Sequence, residues 1–229
     1  MRLSILILSH NRPKLFTRCL TSVLDQLTPD IEIIVNNDSK DITEIQHPQV
    51  TYYYNKFNNI SAIYQFLLAQ STGEYVYYLE DDDYLVKGFT DTSLDADLIA
   101  GNYMPTYNPD NIMEMFTQFK KTNVSSDEFI RLLNFELLQL SQFIYRRSTI
   151  IDFDFPTDNN VHNDINLTLH SAKNSKDIKT LSTIFFYQTK DGRDNISFPD
   201  TNPSLNSMKH LDFLEKYEIF KATARTTRP

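Results

Sequence analysis

EYVYYLEDDD, residues 74–83, is an apolar run that ends in four consecutive acidic residues. The turn pair Thr72-Gly73 precedes it, so the run predicts a buried strand with acids at its carboxyl end. Four adjacent carboxylates repel one another unless a cation lies among them, and a divalent ion with oxygen ligands meets that need. A solvated acidic loop is the alternative. The strand context favours a site for Mn²⁺ or Mg²⁺ shared with a phosphate-bearing ligand, because ligands of open α/β sheets bind at this edge.

The first hundred residues alternate apolar strands with amphipathic helices. The predicted strands are Leu3–Leu8, Ile31–Val35, Val50–Tyr54 and Glu74–Leu79, and the predicted helices are Pro13–Leu24 and Ser61–Gln70. This alternation, with short connections, predicts an α/β fold with a mostly parallel sheet covered by helices on both faces.

The pattern after the acidic run is looser. Further strands are predicted at Asp97–Ala100, Phe143–Arg146 and Ile184–Tyr187, and further helices at Ser126–Leu133, Asp158–His170 and about residues 202–224. Because no repeat or clear linker interrupts the chain, we expect a single domain over residues 1–229 that ends in the C-terminal helix.

Composition restricts the class of protein. The chain of 229 residues is 41% hydrophobic, carries a formal net charge of −8 and has one cysteine, Cys19. A lone cysteine in an apolar helical pattern predicts a buried side chain and a reducing compartment. The first apolar run is too short for a signal sequence, and no stretch could span a bilayer, so we expect a cytoplasmic protein. The negative charge disfavours nonspecific binding to nucleic acid unless basic residues cluster locally.

Three of the predicted strand ends carry polar clusters: Ser9–Arg12, Asn36–Ser39 and Glu80–Asp83. Carboxyl ends of parallel strands meet at one edge of a sheet, so these clusters are expected to line a common crevice. Amides and hydroxyls suit a nucleoside, the carboxylates suit its metal-bound diphosphate, and His10 is placed to stack on a base.

Several ordered motifs resemble family 2 glycosyltransferases of the GT-A fold, which is a Rossmann-like fold. SILILSHNRP (4–13) with RCLTSVLDQ (18–26) is similar to the family's opening, and EIIVNNDS (32–39) lies at the place of its second-strand Asp-Asp motif. STGEYV (71–76) with LEDDDY (79–84) resembles its metal-binding DxD region. The likeness continues more faintly through FIYRRS (143–148) and HNDINL (162–167).

The resemblance implies transfer of a sugar from a nucleotide-sugar donor, usually UDP-linked, to a hydroxyl, with inversion favoured. Residues 1–100 would form the nucleotide-binding half, and residues 101–229 the acceptor-binding half with the C-terminal helix. Asp82 would bind Mn²⁺ or Mg²⁺ directly, with Glu80, Asp81 or Asp83 binding ribose, water or metal, and Asp81 the first choice for a second metal ligand. The other implied donor contacts are Ser9, His10, Arg12, Asn36, Asn37, Asp38 and Lys190.

Asp164 falls where the family has its general base, which takes the proton of the acceptor hydroxyl. The alternative is a carboxylate that stabilises the first turn of a helix. Three departures from the family pattern bear on these roles: Asn36-Asn37 replaces the Asp pair, Asn163 replaces the acid beside the base, and no late His precedes the loop that contains Lys190.

The acceptor is open at this stage. A glycan ranks first, hydroxymethylcytosine in DNA second, as for small phage enzymes that work in the host cytoplasm, and protein third. A nucleotidyltransferase is a further alternative, although Ser9–Pro13 lacks the glycines of its phosphate loop. A sugar- or metal-binding module without catalysis is the non-enzyme alternative. The oligomeric state is not encoded in any recognised pattern.

Overall fold

A computed structural model describes residues 2–39, 42–108, 111–112, 119–133, 138–156 and 163–189 of the protein. Its strands are β1 (Leu3–Ser9), β2 (Ile31–Asn37), β3 (Val50–Tyr53), β4 (Tyr75–Glu80), β5 (Tyr84–Leu85), β6 (Leu98–Asn108), β7 (Asn111–Ile112), β8 (Thr122–Val124), β9 (Phe143–Arg146) and β10 (Ile178–Thr189). Its α-helices are α1 (Pro13–Leu24), α2 (Ile60–Gln70), α3 (Ser126–Leu132) and α4 (Asn163–Asn174).

All ten strands belong to one sheet, whose main path has the order β3-β2-β1-β4-β9-β6-β10-β5. The strands β3, β2, β1 and β4 form one parallel run, and β6 is parallel to β10, so most residue pairs in the described sheet are parallel. Antiparallel pairs join β9, β5, β7 and β8 to this framework. The α/β prediction with a mostly parallel sheet is therefore confirmed.

Helices cover both faces of the sheet. On one face α1 buries Phe16, Cys19, Leu20 and Val23 in the core cluster that also holds Tyr77 of β4. On the other face α2 packs Tyr64 edge-on against Tyr78, with 5.3 Å between the ring centroids. Helix α4 lies on this second face too, since Thr168 hydrogen-bonds the hydroxyl of Tyr145 at 2.9 Å. Alternate residues of β4 thus face α1 and α2, and Glu80 follows Tyr78 toward α2.

Two strands of the second half are longer than the sequence pattern predicts. Strand β6 continues through Gly101, Asn102 and Pro105, which read as strand breakers in the sequence. Asn102 is fully buried, and its side-chain amide offsets the cost of burial by exchanging hydrogen bonds with the backbone of Phe119 at 2.9 and 3.1 Å. Strand β10 begins at Ile178, where it pairs with both β6 and β8. Tertiary pairing therefore decides these bounds, not local propensity.

The later helices agree only in part with the predicted bounds. Within the described residues α4 begins at Asn163 and runs to Asn174, four residues beyond the predicted end at His170. The predicted C-terminal helix at about 202–224 lies outside the described residues, so the single-domain boundaries stay a prediction. Among the helices that the structure describes, none combines the length and the apolar character that a membrane crossing requires.

Gly101 is required by the close approach of Phe185. A Cβ atom at Gly101 would lie 2.6 Å from the Phe185 ring, which is fully buried against Tyr77 and Phe89. We predict that Gly101→Ala lowers the free energy of unfolding by about 1–3 kcal/mol, because the ring has no free space into which to move. Urea unfolding measures this loss. The double variant with Phe185→Leu should recover part of it, whereas strictly additive losses would show that the contact is not the cause.

Candidate active site

The carboxyl ends of β1, β2 and β4 lie side by side at one edge of the sheet. The register pairs Ser9 with Asn37 and Leu8 with Glu80, so the three polar clusters predicted from the sequence are brought together. The side-chain amide of Asn37 donates to Ser9 Oγ at 3.1 Å, and the Asp38 N–H donates to the Ser9 carbonyl at 3.3 Å. These bonds hold the ends of β1 and β2 in a fixed arrangement beside the acidic run.

Three carboxylates of the acidic run form a cluster. Glu80, Asp82 and Asp83 each place one oxygen within 4.8 Å of the others, and Asp82 and Asp83 are 3% and 4% exposed. The turn that creates this arrangement is closed by the Asp83 N–H, which donates to the Glu80 carbonyl at 3.1 Å. Convergent carboxylate oxygens are the ligands that Mg²⁺ and Mn²⁺ prefer, so the donor set fits a divalent cation.

Asp81 faces a different partner. Its carboxylate accepts the backbone N–H of His10 at 3.0 Å and lies 3.2 Å from Nη1 of Arg12, both in the connection from β1 to α1. Burial raises the pKa of Asp81 to about 6, with the negative charge of Asp82 adding to the effect and Arg12 opposing it. The family resemblance implies Asp82 and Asp81 as metal ligands, whereas the geometry groups Asp82 with Glu80 and Asp83.

Glu80 connects the acidic run to α2 and α4. The Tyr64 hydroxyl donates to its carboxylate at 3.4 Å. Burial, together with the negative charges of Asp82, Asp81 and Asp164, raises the pKa of Glu80 to about 8, with Arg12 opposing the effect. The raised pKa shows that negative charge is disfavoured in this shielded space, and a cation bound among the carboxylates would offset that cost.

Asp164 lies in the first turn of α4, on the same side of the sheet as Glu80. Burial raises the pKa of Asp164 to about 7, although its carboxylate accepts the Ile165 N–H at 2.8 Å. The preceding residue, Asn163, is buried and exchanges two hydrogen bonds with Ser61 of α2 at 2.9 and 3.2 Å. This reciprocal pair joins the starts of α2 and α4 and fixes the position of Asp164 relative to Tyr64 and Glu80.

His10 lies at the exposed mouth of the site. Its Nδ1 is 2.5 Å from Asp38 Oδ1, and the Asn11 amide donates to its Nε2 at 2.9 Å. That pattern assigns the ring proton to Nδ1, which then donates to Asp38. The His10 side chain is 66% exposed and held at its edge, so a face of the ring is available to a planar group.

The amides of Asn36 and Asn37 are nearly inaccessible to solvent. Asn36 exchanges hydrogen bonds with the backbone of Asn55 at 3.1 and 3.2 Å, which ties β2 to the segment after β3. Asn37 bonds Ser9 and accepts from Ser39. The structure thus gives both amides partners within the protein, and Asp38 of this cluster contacts His10 at the mouth of the site.

Three functional-site neighbours were not predicted from the sequence: Arg18, Tyr64 and Thr189. One guanidinium nitrogen of Arg18 donates at 2.6 Å to both the Asp82 carbonyl and the Thr189 hydroxyl, and the Thr189 N–H donates to Asp83 at 3.1 Å. Tyr64 and Arg18 lie within amphipathic helices, where the sequence pattern does not distinguish them from other helix residues, and no motif includes Thr189. Lys190, the implied diphosphate contact, lies outside the described residues.

Comparison with known proteins decides the family. The sequence model described as Glycosyl transferase family 2 matches residues 4–146, more than half of the chain. The chain belongs to this family. Glycosyltransferase GlyA of Streptococcus pneumoniae serotype 4 is 25% identical to this family member over 117 residues, which cover 44% of this chain and 17% of GlyA.

Solved structures support the fold of this family 2 chain. A crystal structure of S. aureus TarS residues 1–349 has a TM-score of 0.63 at 20% identity, covering 82% of this chain and 60% of that chain. The same TarS segment in complex with UDP-GlcNAc has a TM-score of 0.65, also at 20% identity, and covers 89% and 62%. The chain thus spans about a sixth of GlyA and about three-fifths of these TarS chains. The likeness at this identity shows the fold, and the GT-A expectation is confirmed.

Proposed function

We propose that this chain is a metal-dependent glycosyltransferase that moves a sugar from a nucleotide-diphosphate donor, a UDP-sugar, to a hydroxyl of a glycan. The observation that carries the proposal is the convergence of the Glu80, Asp82 and Asp83 carboxylates at the strand edge, with Asp164 of α4 near enough for its charge to raise the pKa of Glu80. A carboxylate cluster that fits a cation and a separate partly buried carboxylate are the two groups that such a transfer uses.

The strand ends support a donor site. The open face of His10 suits a nucleobase, and Asp38 beside it suits the hydrogen-bonding groups of the nucleoside. Ser9, Asn36 and Asn37 shape the floor beneath them through their mutual bonds. TarS, a protein of similar fold, has been crystallised with UDP-GlcNAc and with UDP, which is consistent with a UDP-sugar for this chain.

The acidic cluster would hold Mn²⁺ or Mg²⁺ through Asp82, with Glu80 and Asp83 beside it. A divalent ion bound there supplies Lewis-acid stabilisation of the charge on the departing diphosphate. Arg18 fixes the backbone of Asp82 and the end of β10, so the ligand oxygens are held in place before the donor arrives. Asp81 contacts the backbone of His10 and the side chain of Arg12, and so fixes the β1–α1 connection beside this cluster.

Asp164 would act on the acceptor. Its ionised carboxylate takes the proton of the acceptor hydroxyl as that oxygen bonds to the anomeric carbon, while the bond from the anomeric carbon to the diphosphate oxygen breaks. The products are the glycosylated acceptor, protonated Asp164 and the nucleoside diphosphate. The Asn163–Ser61 pair holds Asp164 in place during this exchange.

The decisive experiment incubates the purified protein with Mn²⁺ and labelled UDP-, GDP- and CDP-sugars. Polysaccharide, hydroxymethylated DNA and lysate protein are offered as acceptors in parallel. We expect label transfer from a UDP-sugar to polysaccharide and release of UDP. Label on the DNA would replace glycan by a DNA base as acceptor, and release of pyrophosphate from a nucleoside triphosphate would indicate a nucleotidyltransferase. Absence of donor binding and hydrolysis across the panel would contradict the proposal.

A further inference from the structure

Arg12 occupies an unfavourable position for an arginine at the start of α1. It is the N-cap residue, with φ −132° and no side-chain cap hydrogen bond. Ser, Thr, Asp and Asn are preferred there because a side-chain oxygen accepts a free helix N–H. A cation at this end also opposes the helix dipole. Asn11, just before it, has a left-handed φ of 52°. The missing side-chain cap and the unfavourable charge at Arg12 indicate that another interaction of Arg12 offsets them.

That interaction is with the acidic run. Nη1 of Arg12 lies 2.6 Å from Asp82 Oδ2 and 3.2 Å from Asp81 Oδ1. The side chains of Arg12, Asp81 and Asp82 are only 16%, 6% and 4% exposed, so solvent screens this charge contact weakly. One guanidinium nitrogen therefore bridges two carboxylates, and its positive charge lies at the edge of the cluster that fits a divalent cation.

We propose that Arg12 is a built-in counter-cation of the acidic run, which competes with the divalent ion for Asp82 and makes tight metal binding depend on the donor diphosphate. The proposal rests on the metal-dependent transfer proposed above. Without nucleotide, a metal ion must bind a carboxylate that is already paired and must lie beside a guanidinium. The diphosphate adds negative charge beside both cations and gives Arg12 a second anionic partner. Metal and nucleotide then favour each other's binding.

The test measures binding, independent of turnover. Mn²⁺ dissociation constants are determined by electron paramagnetic resonance for wild type, Arg12→Gln and Arg12→Lys, with and without saturating UDP. We expect Arg12→Gln to bind Mn²⁺ without UDP about tenfold more tightly than wild type, because a close, poorly screened charge is removed. UDP should then tighten Mn²⁺ binding less in the variant than in wild type. Lys14→Gln, at an exposed position of the same helix, removes the same charge and should change neither value.

Arg12→Lys protects the test against misfolding of the glutamine variant. A lysine keeps the charge but loses the planar fork, so its Mn²⁺ affinity without UDP should lie between those of wild type and Arg12→Gln. Folding is checked by circular dichroism and Tm. An unchanged or weaker Mn²⁺ affinity in the folded variants overturns the proposal. Failure of the proposed function looks different: wild type and all variants would then bind no Mn²⁺ even with UDP present.

Discussion

Asp82→Asn is expected to reduce sugar transfer by roughly 10²–10³-fold, because the preorganised charge that stabilises the departing diphosphate is weakened. Asp82 belongs to the carboxylate cluster that fits a cation, and it also contacts Arg12. Its side chain is almost fully buried. An asparagine keeps the shape and one oxygen but loses the negative charge. Mn²⁺ binding should weaken together with turnover. Initial rates with a UDP-sugar at several Mn²⁺ concentrations measure both effects.

The control for this substitution is Asp25→Asn, which removes the same charge at an exposed position after α1. It should leave transfer and Mn²⁺ binding unchanged. Donor hydrolysis without acceptor separates an enzyme from a binding module, since a module hydrolyses nothing in either form. Asp82→Asn with wild-type rates and wild-type Mn²⁺ affinity would remove Asp82 from the site. Arg12 retains its contact with Asp81, so the variant is expected to stay folded.

The first half of the fold was predictable largely because β1, β2 and β4 are buried along almost their whole length. Leu3–Ser9 and Tyr75–Leu79 are almost fully inaccessible, so they read as continuous apolar runs bounded by polar turns. The second half was less predictable because β6 contains Gly101 and Asn102. The glycine makes room for Phe185 and the amide replaces a missing backbone partner, and both reasons lie in distant parts of the chain. Local propensity contains neither.

The position of the site was predictable, and its internal arrangement was not. Parallel strands bring Ser9, Asn37 and Glu80 to one edge whatever the loops do. Which carboxylates converge depends on the turn after β4, where Asp81 rotates toward His10 while Asp82 and Asp83 join Glu80. No sequence rule sets the direction of adjacent acids in such a turn. Arg18 and Tyr64 reach the site from helices on opposite faces, so only the packed structure reveals them.

Asp164→Asn is expected to lower the transfer rate by roughly 10²–10⁴-fold while leaving the affinity for UDP unchanged, because the variant cannot accept the acceptor proton. In wild type, burial raises the pKa of Asp164 to about 7, so kcat/KM should rise with pH through that value as the carboxylate ionises. The residual activity of the variant should lack this rise. A variant with the wild-type rate and pH profile would contradict the role of Asp164 as the base. Asp164 would then only stabilise the first turn of α4.

The same substitution should stabilise the protein, and stability provides an independent readout. The folded-state pKa of Asp164, about 7, is raised above the ordinary value of an aspartate, so the folded protein binds this proton more tightly than the unfolded chain. That contribution to stability is fully present below the unfolded pKa and is lost as pH rises through about 7. At pH 8 wild type therefore carries the full cost of an enclosed carboxylate, which Asn avoids. The Tm of Asp164→Asn should exceed that of wild type by a few degrees at pH 8, and the difference should shrink on acidification.

Asp154→Asn, an exposed charge-matched control, should show no such difference. A gain in stability combined with loss of turnover is what a desolvated catalytic base predicts, since a carboxylate that only stabilised the first turn of α4 would lower Tm when it is lost.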